Sequence, residues 1–120
     1  MRILPILLML GFSVSNSSTA AECPVKCDTE HMYSIFFHTA YKPNPEEPGT
    51  YIYQIPEKSK GNIAWACLEK AANLKNCSAI RSMEMYYKHG VGLKTFGIAA
   101  NSEKADFYTS QRVEYCDNNT

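Results

Sequence analysis

The sequence predicts an α+β fold, a single small domain that is mainly an antiparallel sheet with one packed helix and is cross-linked by disulfides. Three observations carry this prediction. The chain has 120 residues, which is too short for two ordinary domains. Several segments alternate apolar and polar residues as strands do, whereas one segment has helical periodicity. Five cysteines are more than an intracellular chain of this size ordinarily contains.

The pattern of residues 1–21 is typical of a secretory signal peptide. A basic start, an apolar run over residues 3–12 and a stretch of small residues lead to two cleavage frames, before Ala21 or before Glu22. The run is too short to span a bilayer, which needs about 20 apolar residues. We therefore expect a protein that is secreted, is not bound to a membrane, and has one domain over residues 22–120.

Two strands and a proline-rich loop are predicted next. Residues 32–41 alternate aromatic or branched side chains with smaller or polar ones, and residues 50–55 repeat the pattern. Residues 42–49 between them carry three prolines, a glycine and two acidic residues, which favours an exposed, stiff loop.

The helix is predicted over residues 59–76, with Ser59 or Asn62 as its N-cap. Its apolar residues recur at intervals of four, four and three, which gives one stripe for the core: Ile63, Cys67, Ala71 and Leu74. Three further strands are expected over residues 79–88, 92–99 and 107–116. The resulting order, β-β-α-β-β-β with a turn at Gly90 and a polar loop over 101–106, favours an antiparallel sheet with the helix packed on it.

The cysteines predict disulfides rather than a metal site. Their spacing lacks the paired Cys-x-x-Cys pattern of zinc sites, so we expect neither a metal nor another cofactor. If the predicted helix forms, Cys67 and Cys77 lie about 15 Å apart, too far to bond to each other. We expect Cys23 or Cys27 to bond to Cys116, and Cys67 or Cys77 to find another terminal partner. The odd count leaves open a monomer or a dimer through the unpaired cysteine.

One set of side chains suggests catalysis. His38 lies in the first predicted strand, Glu84 in the third, and Arg112 and Glu114 share a face of the last. A general base, an acid and a cation converging on one sheet face could cleave a phosphodiester bond. A secreted ribonuclease-like hydrolase is therefore the alternative function. Nucleic acid is an expected partner only in that case, because the formal net charge of zero gives no basic footprint.

The aromatic content favours binding. Eight tyrosines, five phenylalanines and one tryptophan exceed what one small core needs to bury, and tyrosine is enriched at interfaces. The expected partner-binding residues are Tyr41, Tyr51, Tyr53, Tyr86 and Tyr87. Two triplets, starting at Asn76 and Asn118, also match the glycosylation rule for secreted chains.

The chain has a short N-terminal apolar run, about 100 further residues, and few cysteines with one near each end. In these features it resembles the small secreted candidate effectors of plant-pathogenic fungi. The triplet Trp65-Ala66-Cys67 is similar to the aromatic-x-Cys pattern of mildew and rust effectors. Residues 66–77 are similar to the cysteine-bearing helix of smut killer toxins and their effector relatives. This resemblance implies a secreted, non-enzymatic, toxin-like virulence factor that acts on a host protein or glycan. It leaves open whether the protein is delivered into the host.

Overall fold

The computed structural model describes residues 21–117, except for the side chains of residues 93 and 94. The predicted mainly antiparallel sheet is wrong, because this part of the chain is mostly helical and its one sheet has two strands. The elements in chain order are α1 (Thr29–Ala40), β1 (Tyr41–Pro43), β2 (Tyr51–Tyr53), α2 (Lys58–Asn73), α3 (Cys77–His89), α4 (Leu93–Phe96) and α5 (Ser102–Tyr115).

The first predicted strand, residues 32–41, is the helix α1. Asp28 caps it, because its side chain accepts a hydrogen bond from the His31 N–H at 3.1 Å. The buried residues Met32, Phe36 and Ala40 recur every four positions and face the core. Residues 32–41 also alternate between aromatic or branched side chains and smaller or polar ones, but this strand-like pattern did not determine the structure.

The predicted strands over 79–88 and 107–116 are also wrong, since these residues lie in α3 and α5. Asn76 caps α3 through the Ala79 N–H at 2.9 Å, and Asn101 caps α5 through the Lys104 N–H at 3.1 Å. The expected loop over 101–106 is therefore the start of a helix. Residues of α3 are buried at helical spacing: Ala79, Ile80, Met83, Tyr86 and Tyr87.

The remaining predictions for the elements are mixed. The predicted helix corresponds to α2, although its N-cap is Glu57, which makes no side-chain capping bond, rather than Ser59 or Asn62. The strand at 50–55 is found as the shorter β2. Residues 92–99 contain the four-residue α4 instead of a strand. Gly90, with φ of 66°, ends α3, and a Cβ there would lie 3.2 Å from the Ala100 nitrogen.

The core lies where the four long helices meet. α1 packs on α2, α2 on α3, and α3 on α5. The largest fully buried side chains include Tyr86, Phe36, Met32 and Leu68, one or more from each of the first three long helices. Tyr108 extends this core into α5. No helix within residues 21–117 is long and apolar enough to cross a membrane.

Two disulfides close the described part of the chain. Cys23 is bonded to Cys67 on α2, and Cys77 at the start of α3 is bonded to Cys116 after α5. The expected bond from an N-terminal cysteine to Cys116 is therefore wrong. Two other expectations are confirmed: Cys67 and Cys77 do not bond to each other, and each finds a terminal partner. Cys27 is unpaired and exposed. The predicted signal peptide, apart from Ala21, falls outside the described residues.

Candidate binding surface

A two-stranded hairpin projects from the end of α1. β1 and β2 pair antiparallel, with Tyr41 opposite Tyr53. Gln54 holds the hairpin to the helix: its N–H donates to the Ala40 carbonyl at 2.9 Å, and its Nε2 donates to the His38, Thr39 and Tyr41 carbonyls at 3.1 to 3.2 Å. The His38, Thr39 and Ala40 carbonyls are the last three of α1 and have no helical partner, so Gln54 satisfies them. The hairpin therefore has a defined position on the helix bundle.

Four aromatic rings pack against one another at the base of the hairpin. The Phe37 ring of α1 lies 4.8 Å from that of Tyr41 and 5.0 Å from that of Tyr51, measured between ring centroids. The Tyr41 and Tyr53 rings are stacked at 4.8 Å. Such separations are favourable for aromatic pairs. The tyrosines of the hairpin are thus held in place before any partner binds.

The hairpin exposes apolar side chains on both of its faces. Tyr51 is 50% exposed, Ile52 39%, Tyr53 48% and Ile55 72%. A solvated hairpin ordinarily shows polar residues on at least one face. Contiguous exposed apolar residues mark interaction sites on soluble proteins. We call Tyr51, Ile52, Tyr53 and Ile55 the hairpin patch.

Tyr41 connects the hairpin to the core. Its hydroxyl lies 3.4 Å from that of the buried Tyr86. Burial raises the pKa of Tyr41 to about 12, and burial also raises the pKa of Tyr86 far above its ordinary value. Both phenols stay protonated at neutral pH. The Tyr41 and Tyr86 phenols beneath the hairpin patch are consequently uncharged under physiological conditions.

The structure separates the five predicted partner-binding tyrosines into two groups. Tyr41, Tyr51 and Tyr53 lie together in the hairpin, and Tyr51 and Tyr53 are exposed. Tyr86 is fully buried and Tyr87 is 6% exposed, so these two pack in the core and cannot contact a partner. They were expected at the surface because the chain has more aromatic residues than one small core needs and tyrosine is enriched at interfaces. On α3 both face the other helices.

Three members of this site were not among the predicted binding residues: Phe37, Ile52 and Ile55. A signal for the last two was available. Residues 51–55 contain four large apolar side chains and a single amide: Tyr51, Tyr53 and Ile55 share the side that the prediction gave them, but Ile52 on the other side is apolar as well. Such a run is ordinarily a buried strand, so its position beside an exposed, proline-rich loop was the available signal.

The four candidate catalytic residues do not form one site. His38 is exposed on α1 and lines a cavity of about 340 Å³ with Glu57 and Lys60. Glu84 and Arg112 instead bond to each other between α3 and α5, with Arg112 Nε donating to Glu84 Oε1 at 2.7 Å. Glu114 is two positions from Arg112 on a helix, so the two side chains do not share a face as they would on a strand.

Glu84 has a structural role. Arg112 donates to both of its carboxylate oxygens, and Thr109 Oγ1 donates to Oε2 at 2.6 Å. The hydrogen bonds from Arg112 lower the pKa of Glu84 below its ordinary 4.5, despite the opposing effect of partial burial. Arg112 also bonds to Asp117. A carboxylate and a guanidinium that satisfy each other in this way are not poised for proton transfer.

The glycosylation candidate Asn76 is a structural residue in the folded protein. Both polar atoms of its side chain are hydrogen-bonded. Oδ1 caps α3, and Nδ2 donates to Thr29 Oγ1 at 3.3 Å and to Glu30 Oε2 at 3.1 Å. It is 8% exposed and precedes the disulfide-bonded Cys77. A glycan on this amide would have to be attached before folding and would prevent these contacts. Asn118 lies outside the described residues.

Residues 21–117 contain no group of three or more histidine, cysteine or carboxylate side chains that could hold a metal ion. Comparison with known proteins adds no family. No family model matches the chain, and neither the curated proteins nor the solved structures searched contain a match. Its function therefore has to be argued from its own residues.

Proposed function

We propose that this chain is a secreted, non-enzymatic binding protein that acts on a host molecule as a toxin-like effector, and that the hairpin patch contacts its partner. One observation carries the proposal: four of the five residues 51–55 are large apolar side chains, and all four are exposed. Leaving such a surface in water is unfavourable. A partner that covers it would remove that cost.

The properties of the hairpin favour a protein partner. Within the described residues the sheet has two strands, so β2 has one edge that pairs with no other strand. A partner strand can add to such an edge through main-chain hydrogen bonds. The half-exposed rings of Tyr51 and Tyr53 offer large contact areas with little entropy to lose, because neighbouring rings already hold them.

Secretion is supported by the cysteines and by the N-terminal sequence. Two disulfides are typical of a chain that folds in an oxidising compartment. Residues 1–21 have the charge and apolar pattern of a signal peptide. A non-enzymatic role is supported by the separate positions of His38 and the Glu84–Arg112 pair, since a ribonuclease would need these groups around one phosphate.

The test compares two double variants of the oxidised protein collected from cells that secrete it. Tyr51→Ser/Tyr53→Ser removes the exposed rings of the hairpin patch. Phe107→Ser/Val113→Ser removes two exposed apolar side chains from α5 and is the matched control. Extracellular host proteins retained by the wild type are identified, produced separately, and titrated against each variant by calorimetry.

We expect a partner whose dissociation constant rises at least tenfold for the hairpin variant, which corresponds to about 1.4 kcal/mol, and stays unchanged for the control. Circular dichroism should show both variants folded. A partner that binds the hairpin variant as tightly as the wild type would contradict the proposal, as would equal weakening by both variants.

A further inference from the structure

A row of adjoining surface cavities, here called the groove, follows helix α2, and Trp65 lines one of them. Four cavities of about 280 to 430 Å³ adjoin one another, and each shares lining residues with the next. Counted along α2 from its start, the first and second cavities share Pro56, the second and third share Asn62 and Phe96, and the third and fourth share Glu69. The lining residues contributed by α2 and its N-cap lie between positions 57 and 73. At 1.5 Å per residue, this distance is about 24 Å.

The middle of the groove has an aromatic floor. The rings of Trp65 and Phe96 lie 5.5 Å apart, and both are only partly buried. Asn62 lines the cavities on either side of Phe96. Within the described residues the Asn62 side chain makes no hydrogen bond, so both its donors and its acceptor are available to a ligand.

The charges along the groove are balanced. A polyanion such as a nucleic acid, or a strongly charged peptide, would gain no net attraction from equal numbers of opposite charges. Lysine and glutamate side chains nevertheless donate and accept hydrogen bonds, which suits a ligand rich in hydroxyl groups. The charged side chains that line the four cavities, apart from the titratable His38, are Glu22, Glu57 and Glu69 with Lys58, Lys60 and Lys70.

We propose that this groove binds a neutral oligosaccharide, with sugar rings lying on Trp65 and Phe96 and hydroxyl groups bonded to Asn62 and Glu69. Apolar ring faces can pack on an aromatic floor while the hydroxyl groups reach polar side chains around it. A peptide fits less well, because the backbone groups of α2 are already used within the helix and offer no strand edge for main-chain pairing. One cavity of the groove shares Ile55 with the hairpin patch, but the contacts proposed at Asn62, Trp65, Glu69 and Phe96 lie outside that patch and do not depend on the function proposed for it.

Trp65 reports directly on the groove, because it is the one tryptophan of the chain. The oxidised, secreted protein is titrated with neutral hexasaccharides of glucose and of N-acetylglucosamine in several linkages, and binding is followed by tryptophan fluorescence and by calorimetry. A heparin hexasaccharide and a lysine- and glutamate-containing peptide serve as charged ligands. Asn62→Ala/Glu69→Ala is the groove variant, and Ser110→Ala/Glu114→Ala, exposed on α5, is the control with the same change in charge.

We expect at least one neutral hexasaccharide to give a saturable fluorescence change and a binding heat. Its dissociation constant should rise at least tenfold in the groove variant and stay unchanged in the control and in Tyr51→Ser/Tyr53→Ser. The absence of binding by every neutral saccharide at millimolar concentration in both assays would overturn the inference. So would a saccharide that binds the groove variant normally, or preferential binding of heparin or of the peptide. Loss of binding in Tyr51→Ser/Tyr53→Ser alone would assign the saccharide to the hairpin and also overturn it.

Discussion

At the scale of single residues, Asp28, Asn76 and Asn101 each accept a hydrogen bond from the backbone N–H three positions later. An isolated short helix is marginal in water, and a side chain that satisfies one of its free N–H groups favours a start at that position. These three caps begin α1, α3 and α5, the helices that were predicted as strands. An Asp or Asn stands in the sequence at each of these starts, but the prediction followed the apolar alternation of the residues after it.

Asn76 is the cap whose loss should cost the most stability. We expect Asn76→Ala to lower the free energy of unfolding by about 1 to 3 kcal/mol, because it removes the cap of α3 and leaves the partners of a buried amide unsatisfied. Chemical denaturation of the oxidised protein measures the change. Asn73→Ala, at an exposed position at the end of α2, is the control. A loss for Asn76→Ala no larger than that of the control would show that the cap is unimportant.

At the scale of elements, apolar alternation and helical periodicity coexist in the same segments. Aromatic and branched residues in α1 satisfy a strand pattern, while Met32, Phe36 and Ala40 satisfy a helical one. The helix α2 was predicted correctly, but its predicted core stripe was only half right: Cys67 and Ala71 are buried, whereas Ile63 and Leu74 are 37% and 49% exposed. The buried face is made instead of small residues and Leu68 beside these two: Gly61, Ala64 and Ala72. α3 and α5 are joined by the Glu84–Arg112 pair, which has Thr109 as a further donor. An ion pair of this kind connects elements only after both have folded.

This pair predicts how stability depends on pH. The pKa of Glu84 is lowered in the folded state, so its contribution is complete well above pH 4.5 and is lost as the pH falls from there through the lower folded-state pKa. We expect the free energy of unfolding of Glu84→Gln to change less than that of the wild type over this acidic range. Denaturation curves from neutral pH to about pH 2 measure both profiles. Glu114→Gln, at an exposed position on α5, should keep the wild-type profile. A Glu84→Gln profile parallel to the wild type would contradict the role of this pair.

At the scale of the whole molecule, two disulfides join parts that are distant in the chain. Cys23–Cys67 ties the N-terminal segment to α2, and Cys77–Cys116 ties the start of α3 to the end of α5, with sequence separations of 44 and 39. Each bond restricts the unfolded chain by closing a long loop. They complement a core that, in a domain of about 100 residues, buries about 65% of the unfolded surface.

The second disulfide should be a major contribution to stability. We expect Cys77→Ala/Cys116→Ala to lower the free energy of unfolding by about 4 kcal/mol, the value that loop closure implies for this separation. Cys27→Ser should leave stability unchanged, because Cys27 is exposed and unpaired. Denaturant titration of the secreted proteins compares the two. Equal stability of the double variant and Cys27→Ser would contradict the expectation. Non-reducing electrophoresis of Cys27→Ser also tests whether any dimer forms through this cysteine.

The sequence alone determined the properties that depend on local composition: the presence of disulfides, the helix α2, an exposed proline-rich loop and the tyrosines beside it. It did not determine which periodicity the segments after Asp28, Asn76 and Asn101 would follow, because their residues are compatible with both. Tertiary structure decided this, since only helices bring Phe36, Leu68 and Tyr86 into one core. The same packing buried Tyr86 and Tyr87, left Tyr51 and Tyr53 exposed, and paired Glu84 with Arg112. Which side chains become surface is a property of how elements meet, and no single segment contains that information.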